Sequence, residues 1–273
     1  ARPGGAAGPL IRSGWVYKYV LSPISLWCDL NAPQDLKDSI DPFTQYLFDR
    51  GKSHETDVLA GMFPGAIREY FSNEEDGFHR TLELMAQGVS SIQNMPLLGV
   101  PLGLEGRPDV LERVDGVPSD LGDYSYRVLE IKFARRIKQG HILQASAYNR
   151  LLGWAQGYEP EEFTVLNGDF HLITHLMSDS NDRLDQALEA IRKILQGGMV
   201  EPSHGSGEWP WKSYVDRLAV ERNDVTLLTG IGAARRQEMV NAGFSRVDQV
   251  ATADESVLTE IRGFGEKMAA LLK

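Results

Sequence analysis

The chain has 273 residues, 42% hydrophobic and 24% charged, a balance that suits a folded globular protein and excludes a disordered one. Its net charge of −10 argues against indiscriminate binding to polyanions, and its single cysteine, Cys28, excludes an internal disulfide framework and a four-cysteine metal site. No apolar run approaches the ~20 residues of a membrane span and no secretory pattern is read at the start, so a cytoplasmic setting away from membranes is expected.

Residues 1–12 read as a flexible leader. From 15 to 90 the pattern is mostly helical, with apolar positions at helical spacing through "FTQYLFDRGKSHETDVLAGMF" and again through "RTLELMAQGV". Residues 97 to 133 read as strands. "LEGRPDVLERV" and "YSYRVLEIKF" are separated by the turn-rich "DGVPSDLGD", which predicts an antiparallel pair. A helix is predicted from about Gln139 to Leu152, and "EEFTVLNGDFHLITHLM" gives two strands around an Asn-Gly pair. "SNDRLDQALEAIRKILQGG" reads as a helix with a capping start and a glycine stop. "VEPSHGSGEWPWKSY" reads as a linker. Beyond it, Gly230-Ile231-Gly232 returns as Gly263-Phe264-Gly265, each between two helices.

Charge is unevenly spread. Arg127, Lys132, Arg135, Arg136, Lys138 and Arg150 face Glu130 alone over one stretch, whereas 159–189 is strongly acidic. The basic stripe can hold a polyanion. Within it the strand "YRVLEIKF" carries Glu130 and Lys132 where its pattern asks for Val or Ile. Side chains alternate along a strand, so Tyr126, Val128, Glu130 and Lys132 share one face. If the hairpin pairs as expected, Asp109 reaches the same spot. Two carboxylates and an ammonium at a strand end suit a hard divalent cation, which can polarise a phosphoryl oxygen and acidify a bound water. The bare Glu130–Lys132 pair also reads as an ordinary strand-edge salt bridge. Gln144 and Tyr148, four residues apart, share a face of the following helix and suit phosphate contacts as well as core-edge packing.

The order Asp109, Glu130-x-Lys132, Gln144-x3-Tyr148 resembles the PD-(D/E)xK nucleases, in particular their RecB-like branch. The likeness spans roughly residues 15 to 215 and includes Gly51-x-x-His54 upstream. It implies an α/β, restriction-endonuclease-like core, a mixed central sheet flanked by helices, with a helical N-terminal region. It implies metal-dependent hydrolysis of DNA, with Mg²⁺ or Mn²⁺ held by His54, Asp109, Glu130 and the carbonyl of Ile131. Lys132 would handle the attacking water, and Gln144, Tyr148, Arg135, Arg136 and Lys138 would meet the substrate. Some RecB-like nucleases clamp an iron–sulfur cluster with four cysteines. Here Cys28 stands alone, so no cluster is expected, and Cys28 is read as a small buried hydrophobe with Trp27, Trp209 and Trp211 packed around it.

The tail resembles paired helix-hairpin-helix modules, an all-α tandem. Gly230, Gly232, Gly263 and Gly265 would let the backbone approach a phosphate, and Arg235, Arg236 and Lys267 would add charge. The alternative is a packing element for protein contacts. The domain boundaries expected are a leader at 1–12, a nuclease domain at 13–200, a linker and return segment at 201–222, and the tandem at 223–273. The function expected is that of a DNA nuclease of repair, recombination or processing, acting on single-stranded DNA or on branched or ended duplex. A helicase or other repair protein is a possible partner, since the chain has no Walker-type glycine loop. The rivals are an XPF-type structure-specific endonuclease and a non-catalytic DNA-binding or scaffolding protein.

Overall fold

The computed structural model describes residues 8–273. Most of the expected leader lies outside the described residues. Its last two positions are a correction: Ile11–Arg12 form a strand, β1, parallel to Leu104–Glu105, because the buried Ile11 side chain belongs to the core. In chain order α1 (Ser13–Leu21), α2 (Pro23–Asn31), α3 (Pro42–Met62) and α4 (Glu74–Ala86) give the helical N-terminal region. Then come β2 (Ser91–Gln93), β3 (Leu97–Gly99), β4 (Leu104–Gly106), β5 (Val110–Ser119), β6 (Gly122–Ile131), α5 (Gln139–Gln156), β7 (Glu162–Leu166), β8 (Leu172–Leu176) and α6 (Asn181–Leu195). The chain ends in α7 (Lys212–Glu221), α8 (Ala233–Asn241), α9 (Val247–Thr252), α10 (Glu255–Thr259) and α11 (Glu266–Leu272).

The residues group into two units. The first joins the segment up to Leu21 with Asp41–Gly198, and the second joins Ser22–Ile40 with Met199–Lys273. The first unit is mixed α/β. Its larger sheet has the order β2-β5-β6-β7-β8, and all its pairings are antiparallel except β6–β7. The parallel pair is bridged by α5, which packs on β6 and β7. A smaller sheet has the order β1-β4-β3.

Local chemistry sets the element ends. Asp41 caps α3, its carboxylate accepting from the N–H groups of Phe43 and Thr44, with Pro42 in the first turn where its missing N–H costs nothing. Leu184, Ala187, Leu188 and Ile191 form the buried stripe of α6 at helical spacing. The expected capping start of α6 is corrected. The Ser180 hydroxyl makes no cap and instead meets Ser146 Oγ at 2.9 Å. The loop read at "DGVPSDLGD" is also corrected. β5 and β6 run on to Ser119 and Gly122, and Gly116, at φ +76°, with Pro118, which lacks an N–H, absorb the mismatch as a bulge.

In the second unit the stretch expected as a linker and return segment at 201–222 carries α7, which packs on α2. Cys28 is fully buried there with Ile24, Trp211 and Val215, while Trp27 is partly buried and Trp209 largely exposed. Burial, with the charge of Asp29, pushes the Cys28 thiol up to about 12. A second apolar cluster runs from Val225 to Leu272 and holds the tail helices together. No helix among the described residues is long and apolar enough to cross a membrane.

Candidate active site and nucleic-acid interface

The β5–β6 register pairs Val110 with Leu129, so Asp109 arrives opposite Glu130. The two residues then lock each other. The Asp109 N–H donates to Glu130 Oε1 at 3.0 Å, and the Ile131 N–H donates to Asp109 Oδ2 at 2.7 Å. Lys132 Nζ donates to Glu130 Oε2 at 2.8 Å. Three of the charged groups singled out in the sequence are therefore one cluster at a strand end, with Ile131 joined to it through its backbone.

The cluster has a buried centre in Glu130, with Asp109 and Lys132 half-buried beside it. Glu130 is 1% exposed. Burial first, and the charge of Asp109 second, push its carboxyl up to about 7 in spite of Lys132. Burial alone would depress the Lys132 ammonium, but the charges of Glu130 and Asp109 outweigh it and hold it above its ordinary value. Lys132 is thus a fixed cation, a donor and a charge stabiliser. Glu55 on α3 is a fourth member that the sequence did not single out. Its carboxyl is raised by burial and then by Asp109, while Arg68, Lys132 and Lys52 pull it down.

α5 brings the amide–phenol pair to the same place. Gln144 Nε2 donates to the Tyr148 hydroxyl at 3.1 Å, and Tyr148, 6% exposed, is raised well above its ordinary range by burial and by the charges of Glu130 and Asp109. His54 comes from the other side of the sheet. Its helix α3 packs Val58 and Leu59 against Val110, Leu129 and Ile131, the face opposite Glu130. Its ring lies against Phe133 and Phe170, and its Nε2 is buried with no hydrogen-bond partner.

That unpartnered nitrogen, two close carboxylates and a third in Glu55 are a donor set of the kind a hard divalent cation takes. The groups fit such an ion in chemistry. Among the described residues, however, no three His, Cys, Asp or Glu side chains converge around one point, and Glu130 gives both oxygens to neighbouring donors. A cleft of about 550 Å³ opens alongside, lined by Lys52, Glu55, Arg68, Gln93 and Asn94 among others. Asn94 ties it to the site by donating its N–H to the Asp109 carbonyl at 3.1 Å. Arg135, Arg136 and Lys138 are exposed, with Arg135 in a surface pair with Asp169 at 3.2 Å.

The tail carries the second candidate site. Ile231 and Phe264, the centres of the two hairpins, are buried in its core, and the glycines around them are exposed. Gly230 and Gly263 sit at φ +84° and +80°, a conformation that favours glycine, while Gly232 and Gly265 cap α8 and α11. Arg235 is exposed and donates to the Gly230 carbonyl at 2.7 Å. Arg236 is a correction. It makes a two-pronged ion pair with Asp224, itself 4% exposed, so its charge is spent inside the fold. The first turn of α11 presents Glu266 beside Lys267.

No curated protein matches the chain. Residues 223–273 match the model of the SAM-like helix-hairpin-helix tandem, a motif that implies DNA binding.

Proposed function

We propose that the protein is a divalent-metal-dependent DNA nuclease of the PD-(D/E)xK type, RecB-like branch, with its tail as a grip on DNA. The observation that carries this reading is the Asp109–Glu130–Lys132 cluster. Its Glu130 carboxyl is buried beside the half-buried Asp109, and burial first, then the charge of Asp109, raise it to about 7, which a purely structural salt bridge does not need. Asp109 and Glu130 would hold Mg²⁺ or Mn²⁺, with Ile131 contributing backbone, while His54, expected as a further ligand, sits on a helix packed against the opposite face of the sheet. Such an ion, when bound, supplies a polarised phosphoryl oxygen and an acidified water.

The chain's own groups do the rest. Lys132, held protonated, donates toward the attacked phosphate and balances charge that builds there. Tyr148 keeps its hydroxyl proton and, oriented by Gln144, can donate to a phosphate oxygen. Glu55 adds negative charge on the α3 side. Arg135, Arg136 and Lys138 offer exposed cations along the approach. Processing of DNA in repair or recombination is the setting this chemistry suits.

A second reading has an observation of its own. Glu130 satisfies both oxygens locally and no three ligands converge among the described residues, as a non-catalytic DNA-binding protein on a nuclease-like fold would allow. Labelled single-stranded, duplex, flapped and circular DNA, incubated with Mg²⁺ or Mn²⁺, separates the two. The nuclease reading expects cleavage by the wild type and none by Asp109→Ala. Binding without cleavage on every substrate supports the second reading.

A further inference from the structure

Phe133 and Phe170 are large apolar side chains left 38% and 59% exposed, and both lie against His54, with ring centroids 5.8 and 4.9 Å away. Phe133 directly follows Lys132. The backbone fixes both rings there. Phe170 sits at φ +61°, a region that bulky residues rarely adopt and that persists only where surrounding structure imposes it. The surroundings do impose it. Asn167 Oδ1 accepts from the N–H groups of Asp169 and His171, and Asn167 Nδ2 donates to the Arg135 carbonyl. The Gly168 N–H donates to the Ala134 carbonyl at 3.1 Å. A Cβ at Gly168 would lie 2.1 Å from the Phe133 carbonyl oxygen, so only glycine lets the two segments cross. The segments carrying the two rings are stitched together, and the rings gain little burial from it.

One cation lies against the pair, and others follow along the chain. The Arg50 guanidinium lies 5.8 Å from the Phe133 ring centroid, and Arg135, Arg136 and Lys138 are exposed just beyond it in the chain. Exposed rings interleaved with guanidinium and ammonium groups match a polymer that alternates flat π-faces with phosphates. Bases paired in a duplex already have both faces stacked and offer none.

We propose that Phe133 and Phe170 form a stacking platform for unpaired bases, delivering a single-stranded DNA segment from the His54 side of the sheet to the strand end that carries the Asp109–Glu130–Lys132 cluster. The delivery rests on the nuclease reading, whereas the platform itself does not. The strained turn then has a purpose, since it holds an aromatic ring in water beside the phosphate path.

The test uses the full chain without divalent metal and measures binding of a single-stranded oligonucleotide, the same strand with abasic sites, and a blunt duplex. Phe133→Ala and Phe170→Asn are suitable because both positions are exposed and Asn tolerates positive φ. Each should weaken single-strand binding by about 10-fold, and binding of the abasic strand should change little, because only base stacking is lost. A double variant that binds the single strand as tightly as the wild type overturns the platform. So does an equal loss on the abasic strand, which would point to lost phosphate contacts or to a face meant for a protein. Cleavage is scored separately with Mn²⁺. A wild type that binds through its rings but never cuts leaves the platform standing and overturns the nuclease reading. A wild type that cuts while the double variant binds normally does the reverse.

Discussion

The grip on DNA can be tested by removing its free charges. The tail's cations are Arg235, Arg236, Arg246, Arg262, Lys267 and Lys273. Arg236 is spent on Asp224, Arg246 on Asp248, and the Lys273 ammonium on carbonyls at the end of α9. Arg235, Arg262 and Lys267 remain exposed and can meet phosphates. Replacing these three with Ala in the full chain removes at most three phosphate contacts. Each contact contributes about 0.9 to the slope of log affinity against log salt on duplex DNA, so that slope should flatten by up to about 2.7. Between roughly 50 and 200 mM salt the wild type should therefore lose up to about 40-fold more affinity than the variant. If only the first hairpin engages, as Glu266 at the head of α11 suggests, Arg235→Ala alone should account for about 0.9 of the slope. Fluorescence anisotropy with a labelled duplex over a salt series reads this directly. An unchanged slope for the triple variant would refute the grip and make the tail a protein-contact surface.

Asp109→Ala, Glu130→Ala and Lys132→Ala should each nearly abolish cleavage with the fold retained by circular dichroism, and wild-type turnover by Glu130→Ala would sink the site. Burial and the charge of Asp109 raise the Glu130 carboxyl to about 7, so protons should compete with cations below that value and Mn²⁺ affinity by calorimetry should rise as pH climbs through 7. A flat profile from pH 6 to 8 would count against Glu130 as a ligand. Asp224→Asn leaves the half-buried Arg236 charge without its partner and should cost up to about 3 kcal/mol in thermal or denaturant unfolding of the tail. Burial raises the Asp224 carboxyl, but bonds from Arg236 and Thr226 outweigh it and hold it below the ordinary range. Its contribution is therefore present at neutral pH and lost as acid reprotonates it. Purified protein should be colourless and iron-free by elemental analysis.

What could be read in the sequence was whatever depends on local periodicity. Alternation along β6 put Glu130 and Lys132 on one face, and the turn-rich stretch predicted the antiparallel partner that brings Asp109 alongside. The Asn-Gly pair marked the β7–β8 hairpin, and the repeated glycines marked the tail. Tertiary features gave no such signal. Glu55 joins the cluster because one turn of α3 passes the strand ends, a matter of packing angle. Arg236 looked free because its partner Asp224 lies a full hairpin upstream. His54 lies where a histidine was expected along the chain, yet α3 approaches the sheet from the face opposite Glu130. Ser22–Ile40 joins the tail's unit through α2, whose apolar face finds α7 nearly two hundred residues later.

The burial of Cys28 has a practical side. A fully enclosed thiol pushed up to about 12 presents almost no thiolate at neutral pH, so it neither alkylates nor exchanges with disulfides at a useful rate. The wild-type chain is therefore close to silent toward maleimide dyes. A single cysteine placed at an exposed position, such as Trp154 or Met199, would take a fluorophore or spin label without first removing the native one. The motions of either unit on DNA could then be followed in an otherwise unaltered protein.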